Sequence, residues 1–174
     1  MFSLLFSRRY AMAHRLLSDA SPKCSIPHGH NEVVTVRLVA TAPRPLDGAV
    51  NMVESFERAK GAWHAWVDNV LDHSLHLAEA DPLLAWFRAH EPERLARILT
   101  TPGDPTTEAL ACCLMSKCNA FLAADGGRLR CAELSIEETP TNTVRFDGNP
   151  DEWLPASGTR WWRRADASLN DLPA

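Results

Sequence analysis

His28-Gly29-His30 is the feature of this 174-residue chain best suited to chemistry. If the segment leading into Asn31 is extended, the two imidazoles stand at i and i+2 and face the same way. Glycine between them removes bulk and lets the backbone bend, so both rings can converge on one ion. His14, at the end of an earlier apolar stretch, offers a third ligand. Three histidines with one coordination position left open is the arrangement of a catalytic zinc site rather than a structural one. An isolated pair reads more simply as a turn, with His14 an ordinary half-buried residue. Ser25-Ile26-Pro27 separates Cys24 from the pair. Its thiol could close a structural Cys-His-His-His site, or act as base or nucleophile with a pKa lowered by a nearby metal or imidazole.

Asp72-His73 forms a carboxylate–imidazole unit if the chain turns there. Adjacent residues seldom face each other on a helix, so a relay would run through a partner such as Cys24. A polar helix end, with His near the C-terminal dipole, is the plainer alternative. Strand parity separates Glu137 from Glu138: the latter shares a face with Ala132, Leu134 and Ile136, the former with Glu133 and Ser135. Glu138 is therefore expected on the apolar side, unless the strand has already reached solvent. A buried carboxylate needs a partner, and a ligand with two N–H groups provides one.

The elements that must position these residues follow from the spacing. Phe2 to His14 reads as a strand, and Ser18 to Pro27 as a polar loop. Asn31 to Ala42 alternates, with Val34, Val36, Leu38 and Ala40 on one face. Met52, Phe56, Ala59, Trp63, Trp66 and Val70 form one side of a helix. Leu84 to Leu99 predicts a short helix and then a strand or loop. A second long helix is expected from Asp104-Pro105, a capping residue followed by a good first helical residue, until Gly126-Gly127 stops it. Arg130 to Thr139 is a strand, and Thr143 to Phe146 its hairpin partner. The order β-β-α-α-β-β predicts an α+β domain with helices gathered on an antiparallel sheet.

Composition narrows the function classes. Lys plus Arg number 18 against 22 Asp plus Glu, a net charge of −4, which argues against a nucleic-acid binder that works by neutralising phosphates. No apolar run approaches the roughly 18 residues that span a bilayer, so no membrane association is expected. Met1-Phe2-Ser3-Leu4-Leu5-Phe6 has no basic lead and is broken by Arg8-Arg9, so it reads as strand rather than signal peptide. Five cysteines, an odd number, suit a reducing cytoplasm better than a disulfide framework.

Several blocks, in order along the chain, resemble the 6-pyruvoyl-tetrahydropterin synthase and 6-carboxytetrahydropterin synthase family. They are Tyr10-Ala11-Met12-Ala13-His14-Arg15-Leu16, Cys24-Ser25-Ile26-Pro27-His28-Gly29-His30-Asn31, Met52-Val53 with Phe56, Leu71-Asp72-His73, Pro105-Thr106-Thr107-Glu108 and Glu138-Thr139. The resemblance implies the tunnelling fold, an antiparallel sheet with two helices on one face, assembled into rings as a homo-trimer or hexamer with the active site near a subunit interface. It implies zinc on His14, His28 and His30, Cys24 as catalytic base, and Asp72 with His73 as its relay, from this chain or a neighbour. Glu138 would anchor a pterin, and Thr106 and Glu108 match a second pterin-side motif. The Cys-x3-His-x-His spacing is similar to the bacterial 6-carboxytetrahydropterin synthases of the queuosine route, which act on 7,8-dihydroneopterin triphosphate. The rivals are a 6-pyruvoyl-tetrahydropterin synthase, a side-chain epimerase, and a non-catalytic, zinc-stabilised assembly subunit. Ser55 and Asp104 depart from the family's usual Asp and Asn. Residues 1–150 are expected to form the family domain. Residues 151–174, with Trp153, Trp161 and Trp162, are expected to pack on it or on a neighbouring subunit. Arg15 and Lys23 are nearby cations for a triphosphate.

Overall fold

A computed structural model describes residues 2–18, 21–43, 45–156 and 160–172. Strand β1 (Ser3–His14) runs antiparallel to β2 (His28–Ala40), from Ser3 opposite Val39 to His14 opposite His28. Helix α1 (Phe56–Trp66) begins where the Ser55 hydroxyl accepts the Arg58 amide, and continues as a π turn over Val67–Leu71. Then come β3 (Ser74–Ala78), α2 (Pro82–His90), β4 (Ile98–Thr101), α3 (Thr107–Ala124), β5 (Leu129–Thr139) and β6 (Asn142–Phe146).

The strands form one sheet in the order β4-β3-β1-β2-β5-β6. The fold is α+β, but the sheet is mixed rather than antiparallel. β1, β2, β5 and β6 pair antiparallel, whereas β3 lies parallel to β1 and β4 parallel to β3. The two helical connections set the direction of these strands. The connection through α1 brings the chain back antiparallel to β2, and so parallel to β1 along its free edge, whereas α2 is a crossover between the parallel strands β3 and β4.

Alternation puts Tyr10, Met12, Val34, Val36, Leu38, Leu134 and Ile136 on one face, buried with Ala59, Trp63 and Trp66 of α1 and Leu110, Leu114 and Cys118 of α3. Cys112, Cys113, Cys118 and Cys131 are buried free thiols. Helix α3 starts two residues later than Asp104-Pro105 predicts. The Thr106 hydroxyl caps it by accepting the Ala109 amide. Asp104 instead accepts the Leu17 and Ser18 amides at 2.9 and 2.6 Å, fastening the loop that leaves β1. Gly126 and Gly127, at φ of 94° and 64°, end the helix in the left-handed region that glycine tolerates best.

The C-terminal segment packs on this body. Trp161 and Trp162 are fully buried, and the Trp161 indole N–H donates to the Thr100 carbonyl at 2.8 Å. Lys117 of α3 is buried as well; its Nζ donates to the Trp161 carbonyl at 3.1 Å and to Asp166 at 3.2 Å. Burial pushes the Lys117 amine down to about 8, against the pull of Asp166. Trp153 is different, remaining 72% exposed beside Phe146. Among the described residues, no helix is long and apolar enough to cross a membrane.

Candidate metal and ligand site

Three histidines meet at one end of the β1–β2 pair. The register sets His14 directly opposite His28, and His30 opposite Met12, all on the face covered by the helices. Gly29 makes this approach possible. A Cβ there would sit 2.8 Å from the Met12 carbonyl oxygen, so any other residue would push the strands apart beside the rings. Among the described residues, His14, His28 and His30 form a group whose ligand atoms all lie within 4.8 Å of one another. Cys24 is not a member of it.

The hydrogen bonds fix which nitrogens face inward. His14 Nδ1 lies 3.0 Å from the Pro105 carbonyl, and His28 Nδ1 lies 3.0 Å from the Ile26 carbonyl. A carbonyl only accepts, so both Nδ1 atoms carry the proton and a neutral ring keeps its lone pair on Nε2. Those two Nε2 atoms are 3.1 Å apart. Two lone pairs at that distance repel unless a cation lies between them. Tetrahedral zinc with bonds near 2.0–2.1 Å sets its nitrogens about 3.3 Å apart, so the donor set fits this ion. The carbonyls on the outer nitrogens orient the rings as metal-ligating histidines require. Burial pushes His14 below the ordinary imidazole pKa, which keeps the ring neutral.

Cys24 occupies the loop before β2 and is half-buried. Its sulfur accepts the Ser21 hydroxyl at 3.3 Å, and its carbonyl accepts the Leu16 amide at 2.8 Å. Asp72 and His73 lie at the turn into β3. The chain turns there as the carboxylate–imidazole reading requires, with His73 at φ 61° and its Nδ1 2.7 Å from Asp72. Asp72 also accepts the Ala11 amide at 2.7 Å, the main cause of its carboxyl lying below the usual range. His73 is exposed and lines a depression with Ala11, Ala13 and Leu75. Ala11 and Ala13 alternate with His14, so this depression opens on the other face of the sheet. Within one chain, no hydrogen bond among the described residues joins His73 to Cys24.

Glu138 takes the apolar side and accepts the Thr107 hydroxyl at 2.8 Å, at the N-terminus of α3. Glu137 is exposed. Thr107 is thus the α3 residue that reaches Glu138, while Thr106 caps the helix and Glu108 faces solvent. Arg15 is not free for an anion: it makes a two-pronged ion pair with buried Asp81.

Two buried polar residues that the motifs do not single out lie on strands next to the histidine group. Glu32, two positions after His30, is fully buried; its Oε2 accepts the Tyr10 hydroxyl and its Oε1 has no partner among the described residues. Burial, opposed by the Tyr10 hydroxyl and reinforced by the nearby Glu138 charge, raises its carboxyl to about 7. His76 of β3 pairs with His14 in the parallel register and is also fully buried. Ser74 donates to the Leu71 carbonyl at 2.6 Å and so accepts from His76 Nε2 at 2.8 Å. Burial pushes His76 down to about 3, so it stays neutral beside the triad.

The sequence model described as 6-pyruvoyl tetrahydropterin synthase matches residues 3–149. No curated protein matches significantly. Among solved structures, an uncharacterised protein from Wolinella succinogenes is 20% identical, with a TM-score of 0.67 over 85% of this chain and 98% of that one. A 6-pyruvoyl tetrahydropterin synthase from Caenorhabditis elegans is 24% identical, with a TM-score of 0.57 over 85% and 96%. The Plasmodium vivax enzyme of the same name is 16% identical, with a TM-score of 0.57 over 84% and 98%. At these identities the structural likenesses establish the fold.

Proposed function

The chain belongs to the 6-pyruvoyl tetrahydropterin synthase family, and on that premise we propose that it is a zinc-dependent lyase acting on 7,8-dihydroneopterin triphosphate. One water is consumed, and the products on this reading are 6-carboxy-5,6,7,8-tetrahydropterin, acetaldehyde and triphosphate, as in 7-deazaguanine and queuosine synthesis. The observation that carries the reading is the approach of the His14 and His28 Nε2 atoms to 3.1 Å, with His30 closing the group. Bound zinc would supply Lewis-acid polarisation of the substrate's side-chain oxygens.

The chain's own residues divide the remaining work. Glu138, steadied by Thr107, accepts two N–H groups from the amidine edge of the pterin and fixes the ring. Thr106 and Glu108, at the start of α3 beside Thr107, are assigned to the same pterin end of the site, Glu108 from the solvent side. The Cys24 thiolate removes a proton from the substrate side chain, and the Asp72–His73 pair manages protonation of that thiol. In one chain that pair opens on the opposite face, so it would serve the Cys24 of a neighbouring copy. A homo-oligomer of trimeric or hexameric type suits the exposed apolar surface: Phe2, Leu46, Val50, Met52 and Phe56 are each more than half exposed. A cytoplasmic setting agrees with the free thiols.

The 6-pyruvoyl product is the second reading. The names of the structural relatives favour it, whereas the short spacing from Cys24 to His28 favours the carboxy product. A Cys24→Ser substitution tests the thiol's role under either one. Turnover should fall roughly 100-fold or more, the usual scale for losing a positioned base, with zinc content unchanged. Loss of zinc together with folding would instead make Cys24 a structural ligand and the protein an assembly subunit.

A further inference from the structure

One buried acid has no task in the scheme above. Glu32 lies between two other polar groups in a single row across the sheet. Tyr10 of β1 is its register partner on one side. On the other side, β2 and β5 pair Val33 with Glu137, and Glu32 and Glu138 are the residues just beyond that pair on the two strands, where β5 is irregular between Glu137 and Thr139. His30 is the next residue along the same face of β2, so the row borders the histidine group.

The row is short of donors. Tyr10 supplies one hydrogen, to Glu32 Oε2, and Thr107 supplies one, to Glu138 Oε1. Glu32 Oε1 is buried and has no partner among the described residues. Two carboxyl groups placed side by side across strands repel, and an unpartnered buried oxygen costs stability. An apolar residue at position 32 would avoid both costs. Such an arrangement suits a ligand that brings several N–H groups on one edge.

We propose that Glu32 is a specificity-determining residue that accepts the outward hydrogen of the ligand's 2-amino group, while Glu138 accepts the ring N–H and the other amino hydrogen. This rests on the pterin reading. A pterin edge carries three such hydrogens, and Glu138 alone has room for two of them in parallel. Glu32 Oε1 takes the third, so the pair of carboxyls counts the hydrogens on the exocyclic nitrogen. A substituent on that nitrogen should therefore be rejected.

The test measures binding of pterin and of its 2-methylamino analogue to the full-length protein, by calorimetry. The analogue keeps one amino hydrogen for Glu138 and lacks the one assigned to Glu32. The wild-type protein should bind pterin about tenfold or more tightly than the analogue, the scale of one hydrogen bond to a charged group. In Glu32→Leu the pterin affinity should drop by about that factor, and the preference should shrink to under about threefold. Glu32→Gln keeps an acceptor for Tyr10 and sets an N–H where Oε1 was, so it should show the same loss of preference if the leucine variant fails to fold. A merely structural Glu32 would shift the melting temperature and leave the preference intact, which overturns the proposal. Pterin binding lost in Glu138→Gln but unchanged in both Glu32 variants would remove Glu32 from the site and leave the pterin reading standing. A folded wild-type protein that binds neither compound would defeat the pterin reading itself.

Discussion

Replacing His28 and His30 together by alanine should strip the protein of its metal and its turnover while leaving it folded. The wild-type chain is expected to purify with about one zinc per chain, since a three-nitrogen site of this kind binds zinc tightly. With one imidazole left, zinc content should fall below about a tenth of that, and turnover by about a thousandfold or more, because Lewis-acid stabilisation is worth several kcal/mol. Folding should survive, since both rings stand at the half-exposed end of the sheet and the main core lies beyond them. The variant even loses the repulsion between the facing nitrogens of His14 and His28. Metal analysis and thermal unfolding on the same sample check both halves. Full zinc occupancy in a folded double variant would remove the histidines as ligands.

The largest effect on stability is expected at Trp161→Ala. That indole is fully buried, donates to the Thr100 carbonyl, and stacks against Trp66 with ring centroids 6.3 Å apart. Its backbone carbonyl also accepts from buried Lys117, whose Nζ lies 5.9 Å from the Trp161 ring. Truncation would leave a cavity, an unpartnered carbonyl on β4 and an amine stripped of one aromatic wall. The cavity alone costs about 3–5 kcal/mol, a large part of the 5–15 kcal/mol by which a domain is stable. Urea or thermal unfolding should show a loss of that size. Trp153→Ala is the internal control: with the side chain mostly in water, it should cost under about 0.5 kcal/mol. Equal small losses from both variants would mean that residues 160–172 do not brace the body.

How much of this was legible in the sequence depends on whether the signal was local. The alternation of β2 places Val34, Val36 and Leu38 inward, and parity carries His28 and His30 to the same face. The same parity separates Glu138 from Glu137. It also points Glu32 inward, but a lone acid between His30 and Val34 carries no motif, and its partners come from strands remote in sequence. β3 and β4 are short, and their parallel placement is decided by the long connections through α1 and α2 rather than by any residue pattern. Asp104 shows a similar limit: its side chain suits a helix cap, yet Thr106 takes that role and Asp104 serves the loop beyond β1. Thr107, one residue from the expected Thr106, reaches Glu138 because the helix starts later than the Asp-Pro signal suggests. The pairing of Asp72 with His73 needed a backbone turn at positive φ, which no spacing rule supplies.

Product identification after incubating the zinc-loaded protein with 7,8-dihydroneopterin triphosphate tests the proposed activity most directly. Chromatography with mass detection should show 6-carboxy-5,6,7,8-tetrahydropterin, triphosphate and one acetaldehyde for each substrate consumed. The same product should be absent when the His28→Ala, His30→Ala protein is used. A 6-pyruvoyl product without acetaldehyde, or an unconsumed substrate with zinc fully bound, would contradict the assignment.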